Sequence, residues 1–339
     1  MNAPVLGAEA AFAKPDSWSV AFSWRYQKSD RHFTGSHEDT ERKAEGSQVI
    51  NWIHQLELAV TRTYTPRWSL TVAVPYLMAV RSNAIRDPFL PPNEFGNDPV
   101  VMRSETQARG MGDITVMPRR WMFDPAKQTN YNLALGFGIK LPTGADNVQD
   151  TRTIRDTTPT VPGTFETENV VRTVDQSIQP GDGGFGLILD LQGFLRFGGN
   201  KGALYATGTY LLNPESTNGV ATYRSGAGEE IMSVADQYLY RGGVTWFPTQ
   251  HVGLSLGGRM EGIPTHDVIG ESDGFRRPGY ATSIEPGFSY TKGTYTVSLS
   301  VPWAIHRDRV RNVPDLASGG QGDAAFADYV ILAGYIRRF

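Results

Sequence analysis

Side chains in this chain alternate in polarity with a period of two almost from end to end, and the stretches that interrupt the alternation are by turns short and long. A period of two marks a strand, because successive Cβ atoms point to opposite faces of a sheet. From Ser17 to Tyr26, the residues Trp18, Val20, Phe22, Trp24 and Tyr26 share one face and Ser17, Ser19, Ala21, Ser23 and Arg25 the other. From Tyr131 onward, Leu133, Leu135, Phe137, Ile139 and Leu141 oppose Asn132, Ala134, Gly136, Gly138 and Lys140. About twelve such segments can be drawn along the chain, with only the seventh, 203–212, ambiguous between Leu204 and Tyr205 as the outward residue.

Tight connections fall at 65–67, 124–129, 198–202, 248–250 and 291–293, and long ones at 27–47, 81–110, 143–183, 213–235, 263–279 and 307–324. A soluble β-sandwich accounts for alternation but not for this rhythm, nor for strands of about ten residues, the length that crosses a bilayer. The pattern predicts an all-β fold: a transmembrane antiparallel up-and-down β-barrel of about twelve strands, with long extracellular loops and short periplasmic turns. The barrel occupies 17–339, and 1–16 form a tail. In that tail Ala11-Phe12-Ala13 has the small-x-small form of a cleavage site, so it reads either as a signal-peptide remnant or as a plain periplasmic extension. The last segment, 325–339, closes the barrel and stops on Phe339, an aromatic ending typical of bacterial outer-membrane barrels and of strands handed to the barrel assembly machinery.

Composition narrows the function classes. With 339 residues, a net charge of −3 and no cysteine, the chain is neither a basic nucleic-acid binder nor a disulfide scaffold. No uncharged apolar run is long enough for a membrane helix, whereas a barrel needs none because lipid-facing and lumen-facing residues alternate. Aromatics gather at both strand ends: Trp18, Tyr64, Trp68, Tyr131, Trp246 and Phe339 beside the short turns, and Trp24, Trp52, Tyr76, Trp303 and Tyr329 beside the long loops. Two girdles, one per membrane interface, are expected. The outward basic residues Arg62, Arg120 and Arg337 lie on the turn side, within reach of lipid head groups, and the barrel as a whole is expected to contact outer-membrane lipid and lipopolysaccharide.

The opposite faces of the same segments carry the candidate lumen residues Arg25, Glu57, Asp113, Arg119, Lys140, Asp190, Arg196, Arg241, Arg259, Glu261, Glu285 and Asp328. The two signs nearly balance, so these groups either pair as structural salt bridges or line a solute path of alternating charge. Apolar residues of the second long connection, Phe89, Leu90, Phe95, Val100, Val101 and Met102, either fold into the mouth or pack together above the membrane. No catalytic or metal motif is present: the six histidines lack ligand spacing, and the glycine pair at Gly110 and Gly112 is followed by no helix to hold a phosphate. Neither an enzyme nor a cofactor is expected.

Several ordered phrases resemble those of an outer-membrane transporter family associated with the meta-cleavage pathway of phenol degradation. They are Gly110–Val116, Lys140–Gly144, Gln179–Gly184, Ser283–Tyr290, Ser298–His306 and Ala325–Tyr329. Arg337 departs from the family's C-terminal pattern, where an outward apolar residue is common. The resemblance implies a transport role and no catalytic residues. The expected function is a bacterial outer-membrane channel for small solutes, hydrophobic or aromatic ones included, which cross by passive diffusion through a narrow charge-lined lumen. The alternative is a non-transporting barrel whose loops bind an envelope partner or surface ligand.

Overall fold

The computed structural model describes residues 14–339; the expectations for the N-terminal tail lie largely outside them. Twelve antiparallel strands close into a barrel. They are β1 (Ser17–Thr34), β2 (Ile50–Thr63), β3 (Trp68–Arg86), β4 (Val100–Met111 and Thr115–Trp121), β5 (Tyr131–Lys140) and β6 (Gly186–Phe197). Then follow β7 (Gly202–Leu212), β8 (Gln237–Trp246), β9 (Val252–Ile263), β10 (Gly279–Lys292), β11 (Tyr295–Ser300 and Trp303–Asp308) and β12 (Ala324–Arg338). Each strand pairs with its sequence neighbours, and β12 closes on β1 from Ser19↔Arg338 to Phe33↔Ala324. This ring leaves no free edge in lipid, which has no water to satisfy one.

The outward face is apolar, with Phe22, Leu58, Val72, Leu135, Leu191, Leu256 and Leu299 all exposed. Leu204 is exposed and Tyr205 buried, which settles the face of β7. At the turn side the outward arginines lie over girdle rings: Arg62 is 5.0 Å from Trp18, Arg120 5.4 Å from Trp68 and Arg337 5.8 Å from Phe339. The guanidinium therefore covers an aromatic face at head-group depth, which explains an arginine at position 337.

Several expected loops are partly strand. β1 runs on to Thr34, and β3 and the upper part of β4 pair from Tyr76↔Met111 to Arg86↔Val100, above the barrel wall. Val100, Val101 and Met102 therefore belong to a strand, and with Phe89, Leu90 and Phe95 they stay at least partly exposed, outside any mouth plug. The 143–183 connection, aperiodic in sequence, contains a hairpin, Gln149–Arg155 with Thr167–Thr173, and a single 3-10 turn, Gln176–Ile178. The hairpin covers the upper β4 edge, with Thr153 N donating to Ser104 Oγ at 3.0 Å and Gln107 N to Asp150 Oδ2 at 2.7 Å. A second small hairpin pairs Thr217–Ala221 with Ile231–Ser233.

β11 breaks at Pro302, which has no N–H to give. Above it β11 keeps its ladder to β10, but registers with β12 only at Trp303↔Tyr329. The seam is closed by a side chain: Arg307 donates from Nε to the Ala327 carbonyl at 3.0 Å and from Nη2 to Asp328 Oδ1 at 3.0 Å.

The start of β12 is tied to β1 and its loop through Asp323, which bonds to the ring of His32 and lies 3.2 Å from Arg42 Nη2. Burial opposes the charge of Asp323, but the His32 hydrogen bond and Arg42 outweigh it and hold the carboxyl at about 2, below its ordinary 3.8. A folded-state value below the unfolded one contributes stability above the ordinary carboxylate range, and that contribution is lost as pH falls toward about 2. Urea unfolding in detergent should show Asp323→Asn less stable than the parent at neutral pH and equal to it near the lower limit. An unchanged gap between the two proteins across the acid range would refute the assignment.

Candidate functional site

The inward faces enclose a cavity of about 1290 Å³. Its lining runs from Thr65 and Gly293 at the periplasmic turns to Ala324 and Phe326 at the outer end of β12. Along β1, β2 and β3 the wall is small and mostly uncharged: Ser19, Ala21, Ser23, Ala59, Thr61 and Ala73. These are the polar-phase positions of the alternation, where the strand must present something compatible with water but is not required to carry charge.

The charged candidates are distributed unevenly. Arg25 on β1 reaches Glu261 on β9 at 3.1 Å, although β10, β11 and β12 lie between those strands around the ring, so this pair crosses the lumen. Glu261 also accepts from Arg259 Nη2 at 2.7 Å. Arg119 on β4 meets Asp190 on β6 at 2.6 Å across Gly136 of β5, and Thr209 donates to the second carboxylate oxygen. Arg241 on β8 meets Glu285 on β10 at 2.6 Å across β9, where Gly257 is the register partner of Glu285. Ser300 adds a hydrogen bond to Glu285 at 2.9 Å. Arg241, Arg259 and Glu285 are fully buried and form part of a sealed wall rather than the open cavity. Glu57 lines the cavity and forms no ion pair among the described residues. Arg196 lies at the turn end, 5.9 Å from the Phe194 ring, and Asp328 at the outer rim, bridging Arg31 and Arg307. Trp121 and Phe194 meet edge to face at 6.0 Å beneath β5, filling the periplasmic end on that side.

Lys140 and Asp113 belong to a different device. Three of the sequence phrases, around Gly112, Gly144 and Gly181, come together where the β5–β6 connection turns into the barrel. A Cβ on Gly144 would lie 2.8 Å from Gly181 Cα and 2.8 Å from the Gly112 carbonyl carbon, and one on Gly181 would lie 2.7 Å from Gly144. Only hydrogens fit between these backbones. Asp113 fastens the contact by accepting from Gly144 N at 2.9 Å and Asp182 N at 3.2 Å. Lys140, buried beside them, bonds Asp182 and lies 3.9 Å from Asp113. Beyond this knot the connection packs inward: Val174 and Ile178 are sealed against Ala79 and Ala108, and Ser177, Gln179 and Pro180 line the cavity. The glycine pair at Gly110 and Gly112, unsuited to phosphate, thus admits an inner loop.

At the outer mouth lies a group that strand periodicity could not reveal. Asp175 accepts both terminal nitrogens of Arg277, at 2.9 and 2.8 Å, and lies 3.4 Å from Arg81. Burial opposes its charge, but Arg277 and Arg81 outweigh that and hold the carboxyl well below the ordinary carboxylate range. The neighbouring Arg276 is buried in a two-bond pair with Asp267, both contacts 2.6 Å, which fixes the β9–β10 loop. The only sequence sign of these residues is the Phe275-Arg276-Arg277 run inside a long connection.

The knot yields a measurable expectation. Lys140→Met removes the cation between Asp113 and Asp182 and leaves two carboxylates facing one another, which should cost about 3 kcal/mol in reversible urea unfolding. A loss below about 0.5 kcal/mol, as for an exposed ion pair, would show that Lys140 is dispensable.

No family model matches the chain, and no curated protein sequence is similar to it. Among solved structures it resembles the COG4313 outer membrane channel from Pseudomonas putida F1, at 11% identity and a TM-score of 0.59, over 96% of each chain. It also resembles a deletion mutant of the monoaromatic hydrocarbon channel TodX, at 10% identity and a TM-score of 0.51, over 98% of this chain and 93% of that one. At such identities the likeness is one of fold, and it spans nearly the whole molecule: this chain has the fold of the outer-membrane β-barrels.

Proposed function

We propose that this protein is an outer-membrane channel through which small solutes, hydrophobic and aromatic ones included, diffuse passively. The observation that carries the reading is the cavity of about 1290 Å³ whose lining includes residues from both ends of the barrel. Its wall combines small uncharged residues on one side with paired charges on the other, so a solute meets no isolated ring of one sign. The phrases that resemble those of the phenol-pathway transporter family point the same way, as do the structures it resembles, a channel and a hydrocarbon channel. On this reading Arg25 and Glu261 form a crossbar that limits passage, and the inner loop held by Lys140 narrows the outer half. Strand β12, ending at Phe339, is the segment offered to the barrel assembly machinery.

Planar-bilayer recording of the purified protein tests this. Small stepwise conductance is expected, with liposome swelling in neutral solutes of low mass, and a sealed barrel would refute it. Arg25→Ala leaves Glu261 still neutralised by Arg259 and should raise single-channel conductance by roughly twofold, since a bulky crossing side chain is gone. Glu285→Ala, in the sealed wall, should lower stability and leave conductance unchanged. If the two variants exchange these effects, the crossbar is misplaced.

A further inference from the structure

Four arginines converge at the outer mouth from four different elements. Arg81 comes from β3, Arg152 from the 149–173 hairpin, Arg224 from the β7–β8 connection and Arg277 from the β9–β10 loop. The carboxylates beside them are fewer. Asp175 is held by Arg277 and Arg81, and Glu229 lies 3.9 Å from Arg224, too far for a hydrogen bond. Asp323 is within electrostatic range of Arg224 and Arg277 but is already engaged by His32 and Arg42. Guanidinium groups do not give up their protons near neutral pH, so the excess positive charge cannot be relieved by titration. It can be relieved by an anion.

Two of the four forks are available for one. Arg152 makes no hydrogen bond or ion pair among the described residues, and it lines an outer polar cleft of about 700 Å³ formed with the β1–β2 and β3–β4 connections. Arg224 is exposed and, among the described residues, makes no charge-assisted hydrogen bond. It lies over Phe275, 3.7 Å from the ring centroid, and Arg277 lies over the same ring at 4.8 Å. Phe275 is itself buried, so the ring backs both guanidiniums; the fork of Arg277 is spent on Asp175, and that of Arg224 is left at the surface. Arg277 lines the lumen cavity and Arg152 the outer cleft, and both act on Asp175, so the cluster stands between the two spaces.

We propose that this arginine cluster is a binding station for the carboxylate of a small organic acid on its way from the outer cleft into the lumen. The proposal rests on the channel reading for its direction but not for the site itself. A planar guanidinium fork matches a carboxylate with two parallel hydrogen bonds, which a spherical ion cannot exploit. A neutral hydrocarbon gains nothing there.

Benzoate is the probe, with benzyl alcohol as its neutral counterpart and chloride as the spherical one. The full chain and the double variant Arg152→Gln, Arg224→Gln are compared; both residues are exposed, and heat-shifted mobility in gels confirms that the variant folds. In bilayers the parent should prefer anions in a salt gradient, and benzoate should reduce its current; the variant should lose the anion preference, and its half-effect concentration for benzoate should rise by about tenfold. Isothermal titration of benzoate into the detergent-solubilised protein should show the same tenfold difference. Equal benzoate binding by parent and variant, no binding by either, or binding that chloride matches at equal concentration would overturn the proposal. Conductance without a benzoate effect would overturn it and leave the channel reading intact. An absence of conductance with variant-sensitive benzoate binding would instead refute the channel reading and support the site.

Discussion

In hydrocarbon a backbone N–H without an acceptor costs several kcal/mol, so the ladder between β12 and β1 is the contact on which every other feature depends. Once it forms, from Ser19↔Arg338 to Phe33↔Ala324, the remaining pairings can be local hairpins and the interior is defined as a space. One place where the ladder thins, the upper β11–β12 seam, shows the same constraint in another form. Pro302 interrupts the backbone pairing, and the buried Arg307 supplies the missing donors from its side chain.

Inside the ring, charge is organised by reach. Arg119–Asp190 and Arg241–Glu285 each join strands two apart, and in the first pair the side chains pass over the bare backbone of Gly136 on the intervening strand. Such pairs hold the wall together circumferentially, and their burial explains why they do not all line the open cavity. Arg25–Glu261 joins strands four places apart around the ring and acts across the lumen instead, where the same chemistry divides space rather than fastening it.

The barrel itself was legible in the sequence because lipid imposes one rule on every strand: alternate, and mark the interfaces with aromatics. Phe22, Leu58 and Leu256 are outward as the alternation requires. The same rule stops at the membrane surface, which is why the upward extensions of β1, β3 and β4 were read as loops: beyond the bilayer a strand no longer needs an apolar face. The 143–183 connection failed for a related reason. Its hairpin is exposed on both sides and its buried part is brief, with Val174 and Ile178 placed by distant partners, Ala79 and Ala108. The mouth arginines were invisible because their meeting depends on three loops folding together, and no local spacing records that.

The glycine knot also bears on how such a barrel can vary. The inner loop is admitted by the hydrogens of three residues far apart in sequence, Gly112, Gly144 and Gly181, so its docking is a joint property of positions that must change together or not at all. The aperture is thereby locked to a threefold coincidence of backbone, and a side chain at any one of the three positions would push the loop off the wall.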